Sequence, residues 1–472
     1  MRDDDRDHEA GPATPAPSPA APQDRPSAGP VPGQRATRPP EPAAAEPGAD
    51  AATAAPEAVR AAPEAVRAAP EALRAAPEAA AAVRPGGQGA GAEPVAGTAA
   101  APGGGATRAD PGPVTRDRYV DWLRALSLIV VVLWHWCFTI LQWSPGGPQP
   151  TSPLGFTSGL WVFTWLLQVL PLFFYVGGHV HLLSWERACA RGVGIGAFVW
   201  KRLRALAIPG LSLALTWAVL GAIVGRAFDL SWMGQVVILI ISPLWFLAVY
   251  LVLIALLPIS LYLHRKYDVL VLIWLGGAAL AVDVLRFRYG IDWVSWLNMV
   301  LVWGLAHQAG FFYERIVRLP RRFDVAILTT GLFALLGLVF SGLYPGSMVG
   351  VPGELSNMAP PTFVIVALLV FQMGVVEVFR PVMEHRLQRP LWHRVNETIN
   401  RFALPLFLFH TTGMAIARGL GWWVFGEDLN DHVPPDLQWW LTRPLAIVAP
   451  LLCTLPVIAL FGRRWRRRPI SR

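Results

Sequence analysis

Charge is scarce in this chain: only 15% of its 472 residues are Asp, Glu, Lys or Arg, while 54% are hydrophobic. A soluble domain carries roughly 25% charged residues, so the deficit points to lipid as solvent. Cysteine is nearly absent. Cys137, Cys189 and Cys453 are scattered, and none forms a Cys-x-x-Cys pair, which argues against a disulfide framework or a zinc site. Phe, Trp and Tyr are missing from residues 1–115, so all 21 Trp and 22 Phe lie beyond them. There is no Walker loop, no Rossmann glycine fingerprint and no zinc-protease His-Glu pair. The formal net charge is +8, but Lys and Arg sit in short clusters between apolar stretches. That distribution suits a membrane surface and offers no nucleic-acid face.

The first residues, Met1 to Glu9, are densely charged and lack an apolar h-region, so no secretory signal is expected there. Between Pro56 and Arg84 a Pro-Glu-Ala-Val-Arg-Ala-Ala unit repeats with period seven. A coiled coil would need an apolar stripe, whereas proline here recurs every second turn and the repeat offers little but Ala and Val. Residues 1–115 therefore read as a disordered, low-complexity cytoplasmic tail. A membrane domain over 116–462 and a basic cytoplasmic tail over 463–472 complete the expected organisation.

A transmembrane helix needs about 20 apolar residues, and the chain supplies such stretches repeatedly. The expected spans are 118–141, 158–183, 206–224, 236–262, 268–285, 294–313, 324–343, 361–380, 400–420 and 439–461, the fourth broken at Pro243 and re-entrant in its first half. The expected fold is thus an all-α polytopic bundle of about ten transmembrane helices. Basic clusters follow the even spans: Arg187, Arg191, Lys201, Arg202 and Arg204 after the second, and Arg315, Arg318, Arg321 and Arg322 after the sixth. The loop after the ninth is acidic, with Glu427, Asp428, Asp431 and Asp436. By the positive-inside rule the even loops and both termini are cytoplasmic, in a multi-pass protein of the cell membrane.

Ionisable groups inside spans are functional hypotheses by default. The first span holds Asp121, Arg124 and His135. Eleven positions at 100° make three turns plus about 20°, so Arg124 and His135 share a face, with backbones about 16 Å apart along the axis. Asp121 lies one turn before Arg124 and can pair with it. The competing view has Arg124 snorkelling to the interface and His135 as a hydrogen-bonded core residue. The alignment favours function, because a cationic mouth leading to a buried imidazole suits an anionic cosubstrate and a proton transfer.

The stretch from Asp121 to His135, D-W-L-R-A-L-S-L-I-V-V-V-L-W-H, resembles the first helix of the acyltransferase 3 family of integral membrane acyltransferases, whose hallmark is an Arg, ten residues, then a His. Further segments resemble the family in order and spacing. They are P-L-F-F-Y-V-G-G-H from Pro171, F-V-W-K-R-L-R-A-L-A-I-P from Phe198, P-L-W-F-L-A-V-Y from Pro243 and L-P-L-F-L-F-H from Leu404. The likeness covers most of residues 116–461.

The resemblance implies an acyl-CoA-dependent transferase, most simply an O-acetyltransferase using acetyl-CoA, with His135 as general base and no metal. An imidazole with an unperturbed pKa of about 6.5 suits that task. Arg124, Lys201, Arg202 and Arg204 would bind the anionic donor. The acceptor would be a hydroxyl on an envelope saccharide, a glycolipid or a secondary metabolite. Two departures stand out: the family's usual Ser-Gly in the second helix reads Gly177-Gly178, and Tyr250 stands where many members carry Glu.

His179 and His181 lie about 200° apart on their helix, so only one faces the bundle, and His179, beside the glycines, is the expected cosubstrate contact. His410, Asp121 and Tyr250 are candidate cavity polar groups. His307 reads as structural. Asp283, Glu377 and Asp229 read as interfacial, and Trp143, Trp422, Trp439 and Trp440 as members of aromatic belts. A transporter or flippase with a polar cavity is the alternative, disfavoured by the lack of a repeated half with matching broken helices.

Overall fold

The computed structural model describes residues 117–144, 146–351, 353–426 and 434–461. The expected disordered tail, the basic C-terminal tail and the acidic residues Glu427, Asp428 and Asp431 lie outside these.

The described residues are mostly helical. The main helices are α1 (Arg118–Phe138), α2 (Leu170–Ala190), α3 (Ile195–Ala227), α4 (Met233–Ile241), α5 (Leu244–Ala255) and α6 (Leu257–Tyr267). They continue with α7 (Leu270–Tyr289), α8 (Asn298–Ala309), α9 (Arg322–Phe340), α10 (Val364–Leu387), α11 (Pro390–Phe425) and α12 (Arg443–Phe461). One feature departs from an all-α fold. The first helix stops at Phe138, and an antiparallel hairpin of β1 (Ile140–Ser144) and β2 (Gly147–Thr151) follows, Ile140 opposite Thr151.

Seven described helical stretches are long and apolar enough to cross a membrane, and the bent pair α4–α5 makes an eighth. That pair turns by 43° at Ser242-Pro243, where proline interrupts the hydrogen-bond ladder. The two other expected spans are helical but differ in form. Residues 294–313 are divided among 3-10 turns, the 12-residue α8 and a short helix. Residues 400–420 lie within the 36-residue α11, whose buried face carries His410, Thr411, Thr412 and Arg418. The chain is accordingly a multi-pass membrane protein.

Three devices set the helices around the bundle. Asp117 caps α1 by accepting from the Tyr119 and Val120 amides at 2.8 and 3.1 Å. Side-chain donors then pin α1 and α11 in register along their length. Asn396 Nδ2 donates to the Arg118 carbonyl at 3.1 Å, Asn400 Nδ2 to that of Asp121 at 2.8 Å, and Trp136 Nε1 to that of His410 at 3.0 Å. Between α2 and α8 the backbones touch. A Cβ added at Gly178 would overlap the His307 carbonyl oxygen, and one at Gly310 the Tyr175 carbonyl oxygen. Beside this contact the aromatic run of α2 forms the core, with the Phe174 ring 5.1 Å from both Phe246 and Trp303.

Two acidic residues expected at the interface are buried instead. Asp283 accepts from Asn298 Nδ2 at 2.9 Å, the Tyr344 hydroxyl at 3.0 Å and the Phe363 amide at 2.6 Å, tying α7 to α8 and to the start of α10. Glu377 pairs with Arg380 at 2.7 Å. The Arg380 guanidinium sits 4.6 Å over the Tyr119 ring and donates to the Tyr313 hydroxyl at 2.7 Å. The reason is that α10 continues to Leu387, which leaves Glu377 inside the helix rather than at its end. Asp229 is exposed.

Candidate active site

The face of α1 that carries Arg124 and His135 opens on a cavity of about 1460 Å³. Both residues line it, with Ser127, Leu128 and Val131 between them. At the arginine end Asp121 lies 3.7 Å from the Arg124 guanidinium. Eleven residues further, His135 Nδ1 is 2.7 Å from the Val131 carbonyl oxygen. A carbonyl only accepts, so Nδ1 carries the proton and the lone pair stays on Nε2. The His135 ring meets the buried His410 ring edge-on, centroids 4.9 Å apart. His410 is anchored in the same manner, its Nδ1 2.7 Å from the Phe407 carbonyl oxygen. Its Nε2 is buried with no hydrogen-bond partner among the described residues. Two imidazoles thus meet beside one wall, each held by its own helix through Nδ1.

The arginine end is completed by other elements. Arg202 of α3 lines the cavity, its guanidinium 3.6 Å over the Phe198 ring. Its neighbours Lys201 and Arg204 are exposed and do not line it, because a helix turns only one residue of this cluster toward the bundle. Tyr250 of α5 and His181 of α2 also line it, with the Tyr250 hydroxyl 3.3 Å from His181 Nε2. His181 Nδ1 lies 2.9 Å from Nε2 of the buried His307 on α8.

His179 points elsewhere. Its ring lies 4.1 Å from Tyr313, its Nε2 is 3.9 Å from Glu314, and it is not on the cavity wall. Both histidines are buried in the bundle, contrary to the expectation that only one would face it, and His181 is the one on the cavity wall. The glycines did not decide the matter, because they pack α2 against α8 and Tyr250 on different sides.

At the opposite end the lining includes Trp143 and Pro148 of the hairpin, Trp232, Arg418 and Trp422. Trp143 and Trp232 meet at right angles, 5.2 Å apart. Trp143 and Trp422 therefore line a cavity mouth in addition to any belt they join. Trp439 is not a belt residue: it is buried, with the Arg443 guanidinium 3.7 Å over its ring. Sequence reasoning missed His181 and Arg418 as wall residues. For His181 no local signal separates it from His179; for Arg418 the signal was its place within an apolar helix.

A family model described as an acyltransferase domain matches residues 117–459, from the cap of α1 to the last turn of α12. The chain belongs to the acyltransferase 3 family. Among curated proteins and among solved structures, nothing matches the chain. Within this family's pattern the two departures touch in space. A Cβ at Gly177 would lie 3.1 Å from Tyr250 Cε2, so the missing side chain of one makes room for the ring of the other.

Proposed function

We propose that this membrane acyltransferase moves an acyl group from acyl-CoA, most simply acetyl-CoA, to a hydroxyl of an envelope saccharide, a glycolipid or a secondary metabolite. The observation that carries the reading is His135, with its Nε2 lone pair directed by the Val131 bond, on one cavity wall with Arg124 and Arg202. In this reading the ten expected spans cross the cell membrane with both termini cytoplasmic, and the arginine end faces the cytoplasm.

Arg124 and Arg202 bind the donor's phosphates, beside the Tyr250 hydroxyl and His181. Lys201 and Arg204 act from outside the cavity, steering the anionic donor toward it. The cosubstrate role expected of His179 passes to His181. At the inner end of the site, His135 Nε2 takes the proton from the acceptor hydroxyl as its oxygen adds to the thioester carbonyl carbon. The carbon–sulfur bond then breaks, and the thiol departs with the proton that His135 returns. A pocket for one ligand usually holds about 300–1,000 Å³, so a cavity of about 1460 Å³ suits two substrates at once.

The test is release of free CoA from acetyl-CoA by the purified protein, supplied with crude envelope extract as acceptor source. Release that depends on both protein and extract supports the reading. A transporter would give none. Arg202→Gln should raise the donor KM about tenfold with little change in kcat, since it removes a charged contact to a part of the donor remote from the chemistry. An unchanged KM would remove Arg202 from the donor site.

A further inference from the structure

A second cavity, of about 420 Å³, shares no wall residue with the first. It is a groove between the end of α2, the start of α3 and α6. Its apolar surface comes from Ile195, Pro258 and Leu261, and Arg265 and Lys266 line it where the apolar part of α6 gives way to charge. None of its wall residues is a carboxylate. The nearby Asp268 is engaged elsewhere, with both oxygens taking Arg315 Nη1 at 2.7 Å.

The Trp185 ring adds to the apolar wall. One further observation points to an anionic ligand. Lys266 is held in place: its Nζ donates to the Tyr262 hydroxyl at 3.0 Å and lies 5.1 Å from the Tyr267 ring centroid. That bond raises the lysine's pKa, so the group stays cationic.

We infer that this groove binds the phosphate headgroup of an anionic phospholipid, with Arg265 and Lys266 as donors and the glycerol and upper acyl chain against Ile195, Pro258 and Leu261. The groove lies at the level of the bundle where the spans end and the basic residues begin, which is where such headgroups reside. A free phosphate would use the donors and leave the apolar surface uncovered.

The experiment is native mass spectrometry of the full-length protein in mild detergent, titrated with phosphatidylglycerol, phosphatidylcholine or inorganic phosphate. We expect phosphatidylglycerol to be retained, phosphatidylcholine to be retained far less, and phosphate to leave bound phosphatidylglycerol in place. The double variant Arg265→Gln, Lys266→Gln should weaken retention by about tenfold or more. A control pair at the basic start of α9, Arg321→Gln with Arg322→Gln, should leave retention unchanged. Equal retention by wild type and the Arg265/Lys266 variant would overturn the site, as would equal binding of phosphatidylcholine. Displacement by phosphate would mark a small-anion site and reject the lipid. The readout is lipid mass, so its failure leaves the acyltransferase reading where it stands.

Discussion

Replacing His135 with alanine is expected to cut acyl transfer by about 10²–10⁴-fold while leaving the protein folded. The size follows from the role. A general base contributes about that much, and no other group in the described site is placed to take over at the same point. His410 is the nearest rival, 4.9 Å away ring to ring, and its Nε2 is also without a partner. It does not line the cavity, whereas His135 does. His410→Ala should therefore cost less, acting through the position of the His135 ring. The measurement is CoA release under saturating donor, with monodispersity checked for each variant. If His410→Ala abolishes turnover and His135→Ala does not, the base has been assigned to the wrong imidazole. If both retain turnover, the α1 histidine is structural. The fold should survive because His135 is only half-buried and its Nδ1 hydrogen bond runs to its own helix.

The second large effect concerns stability. Gly178→Val should cost about 3 kcal/mol or more and lower the unfolding midpoint by roughly 6–12 °C. A Cβ there meets the His307 carbonyl oxygen, and backbone cannot rotate out of the way as a side chain does. Relief requires α2 and α8 to separate, which would also pull apart the His181–His307 bond and loosen Tyr250. The neighbouring Gly177→Ser is the control. Its Cβ would meet the edge of the Tyr250 ring at 3.1 Å, a contact that a shift of a few tenths of an ångström relieves. We expect little loss of stability there and a change confined to donor binding. Thermal unfolding in detergent separates the two, and equal midpoints for both variants would show that the α2–α8 contact is not a backbone contact.

These adjacent glycines show where sequence reading ends. In the sequence they form one departure from a family motif; in the structure they face different neighbours and do different work. The same holds for the paired histidines of α2. Helical phase sets them about 200° apart and cannot say which lines the cavity, because the choice depends on the side from which α5 and α8 approach. The burial of Asp283 and Glu377 was likewise invisible. Each is a carboxylate near an expected span end, and only the folded chain shows the donors that converge on it.

What the sequence determined by itself is whatever depends on local periodicity and on solvent. Apolar runs of membrane length mark the spans. The eleven-residue interval in α1 puts Arg124 and His135 on one face regardless of how other helices pack. Ordered motifs identified the family, and the match over residues 117–459 agrees. The tertiary structure decided whatever depends on which helix lies next to which. It set His135 against His410, 275 positions later, and Tyr250 against His181. It turned Arg202 inward and left Lys201 and Arg204 outside. It also divided one expected span among α8 and its flanking turns and placed a hairpin after α1. The physical reason is range: a helix dictates its own face through bonds four residues apart, whereas its neighbour is chosen by side chains hundreds of residues away.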